Sequence, residues 1–219
     1  MPYSIDHFSL NLINKLAPNI DHVAHWVEEI RAKNPGFSDE AMANFISRRV
    51  THTCALQGSA LGLPGAVPGL GTVTQTLLTG GVVSADLALL IRNQTCLVFA
   101  LGCLYGVKNR QILIQDTIIC IGLWTNALTL GKRGAVMLGS KVVNANFKKH
   151  VPAQLLKQIN KKVGTTLLTK YGIKRGGLAL GRLIPFGVGL AVGGGVNYFV
   201  MRQFASHCRT YLSPKISYR

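Results

Sequence analysis

After Asp116 the chain contains no Asp and no Glu, so 103 residues run to the end without a single carboxylate side chain. The same stretch carries 16 of the 24 Lys and Arg residues, whereas residues 1–116 hold eight of each sign. The entire formal charge of +16 therefore belongs to the second half. Unbalanced like charge works against a compact state. The asymmetry accordingly points to an anionic partner, either a phosphate backbone or an acidic membrane surface.

Charge of either sign is scarce. Charged residues make up 15% of the chain, against roughly 25% in ordinary soluble domains. With 48% hydrophobic residues, this is not the composition of a disordered chain, which is poor in apolar residues and rich in charge. Five cysteines (Cys54, Cys96, Cys103, Cys120 and Cys208) form an odd set without a C-x-x-C spacing, mostly within apolar helical runs. That pattern suggests a reducing compartment and no disulfide framework. Met1–Ile20 lacks a basic segment followed by an apolar one, so no secretory signal is expected. Apart from short apolar runs such as Ile112–Ile114, no segment alternates with period two between turn signals. The expected fold is all-α, a multi-helix domain whose apolar helical hairpins bend at Gly/Pro elbows.

Motifs for chemistry are absent as well. Gly62–Thr72 is rich in glycine, but Gly71-Thr72 lacks the lysine that a phosphate-binding loop sends to its phosphates. Gly187-Val188-Gly189 followed by Gly193 misses the dinucleotide-binding spacing by one residue and follows Pro185 instead of a strand. No G-x-S-x-G elbow occurs. Asp21, His25 and Glu29 stand at i,i+4 steps that could align metal ligands, yet such spacing more often marks a solvated, ion-paired helix face. No enzyme activity, metal or cofactor is expected.

What the chain does contain is helix. Apolar residues at helical intervals cover Ile20–Ile30, and Asn34-Pro35-Gly36 ends that helix. Ser38 is placed to cap the next one, which carries Asp39 and Glu40 in its first turn and runs through Met42, Phe45, Ile46 and Val50. Thr51–Ala85 has no charged residue and reads as helix, an elbow around Leu63–Thr72, then helix from about Val73 to Ile91. Uncharged runs follow at Asn93–Val107, Thr117–Gly131 and Leu183–Met201. The last, at 19 residues, approaches the roughly 20 residues of a bilayer span; its Pro and Gly content favours a buried hairpin instead. Glycines recur four apart, for example Gly58/Gly62, Gly102/Gly106 and Gly189/Gly193, a spacing that lets helices approach closely. The organisation expected is an N-terminal helical segment (1–50), a main helical domain (51–212) and a short tail (213–219).

Several pieces together resemble the EcsC family, bacterial helical proteins named for a component encoded beside an ABC exporter. They are the elbow Gly58–Thr72, the helix Asp86–Gln94 leading into Leu101–Gly106, and Arg182–Gly187 followed by Gly193–Tyr198. The resemblance runs from near Asn34 to near Tyr211. It implies a helical fold and a bacterial source, and carries over no catalytic residue.

Two sets of residues remain as site candidates. Lys132, Arg133, Lys141, Lys148, Lys149, Lys157, Lys161, Lys162, Lys170, Lys174 and Arg175 form a basic block. Within it Leu155, Leu156, Ile159, Val163 and Leu167 make one helical stripe, with Lys157 and Lys161 turned away from it. A basic amphipathic helix of this kind suits acidic lipid. Phe147 and Tyr171 are few aromatics for stacking bases, and Lys outnumbers Arg, which disfavours base readout. The second set is Asp86, the one acid between Glu40 and Asp116, with Arg92 six residues on. A buried Asp86 would need a partner, because an isolated buried charge is costly. The expected function is non-enzymatic docking on an anionic membrane, at its inner, cytoplasmic face. The alternatives are nucleic-acid binding, or insertion as a pore-forming effector through Thr51–Ile91 and Leu183–Met201.

Overall fold

The computed structural model describes residues 12–61, 85–130, 136–138, 141–143 and 188–213, with side chains over 12–57, 88–129 and 194–213. Six helices account for nearly all of them: α1 (12–16), α2 (Ile20–Lys33), α3 (Asp39–Leu61), α4 (Ala85–Leu104), α5 (Arg110–Trp124) and α6 (Val188–Leu212). The fold is all-α, as the sequence pattern predicts.

Helix ends are set by local side chains. Asn19 caps α2, its Oδ1 accepting from the Asp21 and His22 amides at 2.8 and 3.2 Å. Asn109 does the same for α5 with Gln111 and Ile112, at 2.9 and 3.1 Å. Ser38 Oγ accepts from the Ala41 amide at 3.2 Å, which confirms it as the cap of α3. Each such cap satisfies amides that the first turn leaves unbonded, worth about 1 kcal/mol. At the other end of α4, Gly106 (φ 83°) reverses the chain while the Gly106 and Val107 amides return to the Cys103 and Gly102 carbonyls. This double closure requires a left-handed residue, which glycine adopts without steric penalty.

The helices enclose one apolar core. Its buried residues come from every helix, from Leu12 in α1 to Leu212 in α6, with Phe99 and Phe204 wholly enclosed. Each fully buried side chain of that size contributes about 1.5–3 kcal/mol. α3 runs unbroken across residue 50 and joins the same core through Met42, Ile46, Val50 and Cys54. In α5 every residue from Asp116 to Trp124 is buried, so the uncharged run that starts at Thr117 is a helix enclosed on all sides. Its β-branched stretch Ile118-Ile119 is held helical by packing, which overrides the weak intrinsic preference. None of the described helices is long and apolar enough to cross a membrane.

Three short strands add an antiparallel meander that the sequence pattern does not announce: β1 (Thr129–Leu130), β2 (Val136–Leu138) and β3 (Lys141–Val143). Thr129 pairs with Met137, and Met137 with Val142. Strands of two or three residues are too short to show alternation. The elbow around Leu63–Thr72 and the amphipathic stripe Leu155–Leu167 lie outside the described residues.

Candidate functional site

Of the basic block, Lys141 falls in β3, its side chain outside the described residues, and the other ten lie outside them entirely. Asp86 and Arg92 both belong to α4. The Asp86 side chain is also outside the described set, and Arg92 is exposed, so it joins no buried pair; its neighbours Ile91 and Asn93 take the inward directions. Asn93 instead spans to α3, its Nδ2 donating to Gln57 Oε1 at 2.7 Å and to the Leu89 carbonyl at 2.9 Å. His25 Nε2 and Glu29 Oε1 meet at 3.1 Å, the exposed i,i+4 contact expected of a solvated face. No group of His, Cys, Asp or Glu among the described residues could hold a metal ion.

The structure does gather a polar cluster between α5 and α6. Trp124 meets Phe204 edge to face at 6.1 Å, and eight residues earlier on α5 the Tyr211 hydroxyl donates to Asp116 Oδ1 at 2.9 Å. The two helices therefore run antiparallel. One turn from Asp116, the Cys120 thiol lies beside that of Cys208, which is one turn before Tyr211. Burial pushes the Cys120 thiol well above the ordinary range, and the Cys208 contact and the charge of Asp116 add to the shift. Enclosed and protonated at neutral pH, Cys120 is not a nucleophile. The arrangement is a buried carboxylate, phenol and thiol pair locking α5 to α6.

A second assembly lies on the surface, along α3 and α6. Burial raises the Tyr105 hydroxyl, and the charges of Asp39 and Glu40 and of Arg209 also act on it. The start of α3 thus lies near the end of α6, and these helices too run antiparallel. His52 and Tyr198 mark the register, with ring centroids 5.5 Å apart. Around that point Arg48, His52 and Leu56 are exposed on α3, and Val196, Phe199 and Arg202 on α6. Leu56 is 71% exposed and Phe199 60%. Acids on the described surface sit elsewhere, in α2 and the first turn of α3, where Arg31 pairs with Asp39.

Neither assembly is evident from sequence. The cluster's only signal is the spacing of Asp116 to Cys120 and of Cys208 to Tyr211, each about one helical turn. The exposed apolar residues carry no signal, because exposure is decided by how α3 and α6 pair. Comparison with family models, with curated proteins and with solved structures finds no match to this chain.

Proposed function

We propose that this protein docks, without catalysing a reaction, on an anionic membrane surface through its basic second half. The observation that carries this reading is the acid-free stretch after Asp116 with its 16 basic residues. Each Lys or Arg near an anionic leaflet contributes about 1 kcal/mol, screened within a Debye length. The described part of that half agrees in sign: α6 bears Arg202 and Arg209 and no acid. Kinship with the EcsC family, proposed on the elbow and helix motifs, is compatible with a helical docking protein and assigns no reaction. The inner face of a membrane in a reducing compartment suits five cysteines that remain thiols.

Sedimentation with vesicles tests the proposal. Vesicles containing phosphatidylglycerol should bind the protein at low salt and release most of it at high salt, whereas phosphatidylcholine vesicles should not bind it. Equal binding to both would overturn the electrostatic reading. Salt-sensitive binding to RNA or DNA with none to vesicles would assign the basic half to nucleic acid instead.

A further inference from the structure

We infer that the exposed face shared by α3 and α6 is the point at which the protein enters the bilayer, Leu56, Val196 and Phe199 inserting between acidic headgroups while Arg48 and Arg202 bind their phosphates. The inference rests on the docking reading above and adds to it a specific face and an apolar component. Leu56, Val196 and Phe199 are 71%, 37% and 60% exposed. Phe37, the other large exposed hydrophobic residue described, leans on Phe45 with ring centroids 6.0 Å apart and is accounted for by that packing.

The register places these residues together. His52 lies beside Tyr198, and the helices are antiparallel. One turn onward along α3, Leu56 therefore comes level with the residues one turn back along α6, about 194, while Val196, Phe199 and Arg202 follow at three-residue steps on the exposed side of α6. One turn the other way, Arg48 comes level with Arg202. The result is one exposed surface that carries Leu56, Val196 and Phe199 together with Arg48 and Arg202. Arg49 is turned aside over the Trp26 ring, 5.9 Å from its centroid. Arg48 and Arg202 make no ion pair among the described residues. The nearest acid earlier on α3 is Glu40, and α6 has none.

Charge and shape select the occupant. A symmetric pairing of two copies through this face would bury Arg48 and Arg202 of each against a surface that offers no acid among the described residues, leaving both charges desolvated and unpaired. Exposed apolar side chains need no matching pocket in a bilayer, because lipid conforms to them. A headgroup layer offers phosphate to arginine and acyl chain to Leu and Phe within a few ångströms.

The test uses the whole protein and vesicles of phosphatidylglycerol and phosphatidylcholine. Leu56→Ser/Phe199→Ser should weaken partitioning onto acidic vesicles on the order of tenfold and abolish the fraction that resists high salt. Arg48→Glu/Arg202→Glu should weaken binding chiefly at low salt, and Gln111→Glu, on the exposed start of α5, should change it little. All substituted positions are exposed, so circular dichroism and the melting temperature should match those of the parent. As a positive readout, Phe199→Trp should gain quenching by brominated acyl chains beyond that of the native Trp26 and Trp124. Parent protein that binds no vesicles would defeat the docking reading itself. Parent that binds, with Leu56→Ser/Phe199→Ser binding equally and Phe199→Trp unquenched, would overturn this face alone. A dimer without lipid that Leu56→Ser/Phe199→Ser disperses would assign the face to a second copy and also overturn it.

Discussion

Tyr211 donates its hydroxyl to Asp116 at 2.9 Å, both residues buried and 95 positions apart. The last acid in the chain thus has a structural role: it ties α6 to α5 from within. Tyr211→Phe keeps the ring and removes the donor. Removing one partner of a buried hydrogen bond costs about 1–3 kcal/mol, so this variant should lose about 2 kcal/mol in urea unfolding, with the far-ultraviolet spectrum unchanged. A loss below about 0.5 kcal/mol would show that the carboxylate does not depend on the phenol.

The approach of α4 to α5 turns on Gly102. A methyl group there would land on the Leu113 Cδ2, inside a side chain that is fully buried. Gly102→Ala should therefore cost about 1–3 kcal/mol by overpacking, despite the better helix propensity of alanine. Shortening the partner should restore room, so Gly102→Ala/Leu113→Val should be more stable than the sum of the two single changes. Simple additivity in thermal or urea unfolding would contradict the contact.

Those two residues also show where sequence reading ends. Gly102 and Gly106 look like one small-residue pair four apart, yet Gly102 packs against α5 while Gly106 supplies the positive φ that ends α4. Local chemistry was legible: Ser38 as a cap, Asn34-Pro35-Gly36 as a stop, and the helical period through Ile46 and Val50. Each depends on neighbours within a turn or two. The link from Asp116 to Tyr211 and the exposure of Leu56 beside α6 depend on helix pairing across more than 90 residues, for which a single sequence carries no local signal. The outward direction of Arg92 is set in the same way, since the inward side of α4 is chosen by what α4 packs against. The basic block is a property of composition, and its placement lies beyond the described residues.

Alkaline pH should destabilise this fold. Burial holds the Cys120 proton in the folded state far above the ordinary thiol range, whereas the unfolded chain releases it near pH 8.5. Between those limits the folded state binds more protons, so stability falls as pH rises. The contribution is fully present below about pH 8 and lost at about 1.4 kcal/mol per pH unit above 8.5. Burial raises Cys96 too, against the opposing charge of Arg92, and steepens the decline. Urea midpoints from pH 7 to 10 check this, with Cys120→Ala expected to flatten the alkaline limb. A midpoint constant to pH 10 would contradict it.

Gln94 gives the opposite kind of prediction. It lies on α4 with no exposed surface, and among the described residues neither its Oε1 nor its Nε2 reaches a hydrogen-bond partner. Its neighbours on the helix are satisfied: Asn93 bonds Gln57 and Leu89, and the Thr95 hydroxyl bonds the Ile91 carbonyl at 2.7 Å. Burying an unpaired amide costs about 1–3 kcal/mol, a cost that vanishes when an apolar side chain of the same shape replaces it. Methionine matches glutamine in length and flexibility and adapts to irregular surroundings. Gln94→Met should therefore stabilise the protein by about 1–2 kcal/mol, while Gln94→Ala, which exchanges the unpaired amide for a cavity, should be near neutral or destabilising. Destabilisation by Gln94→Met of more than about 1 kcal/mol would show that the amide is bonded in solution and that α4 relies on it.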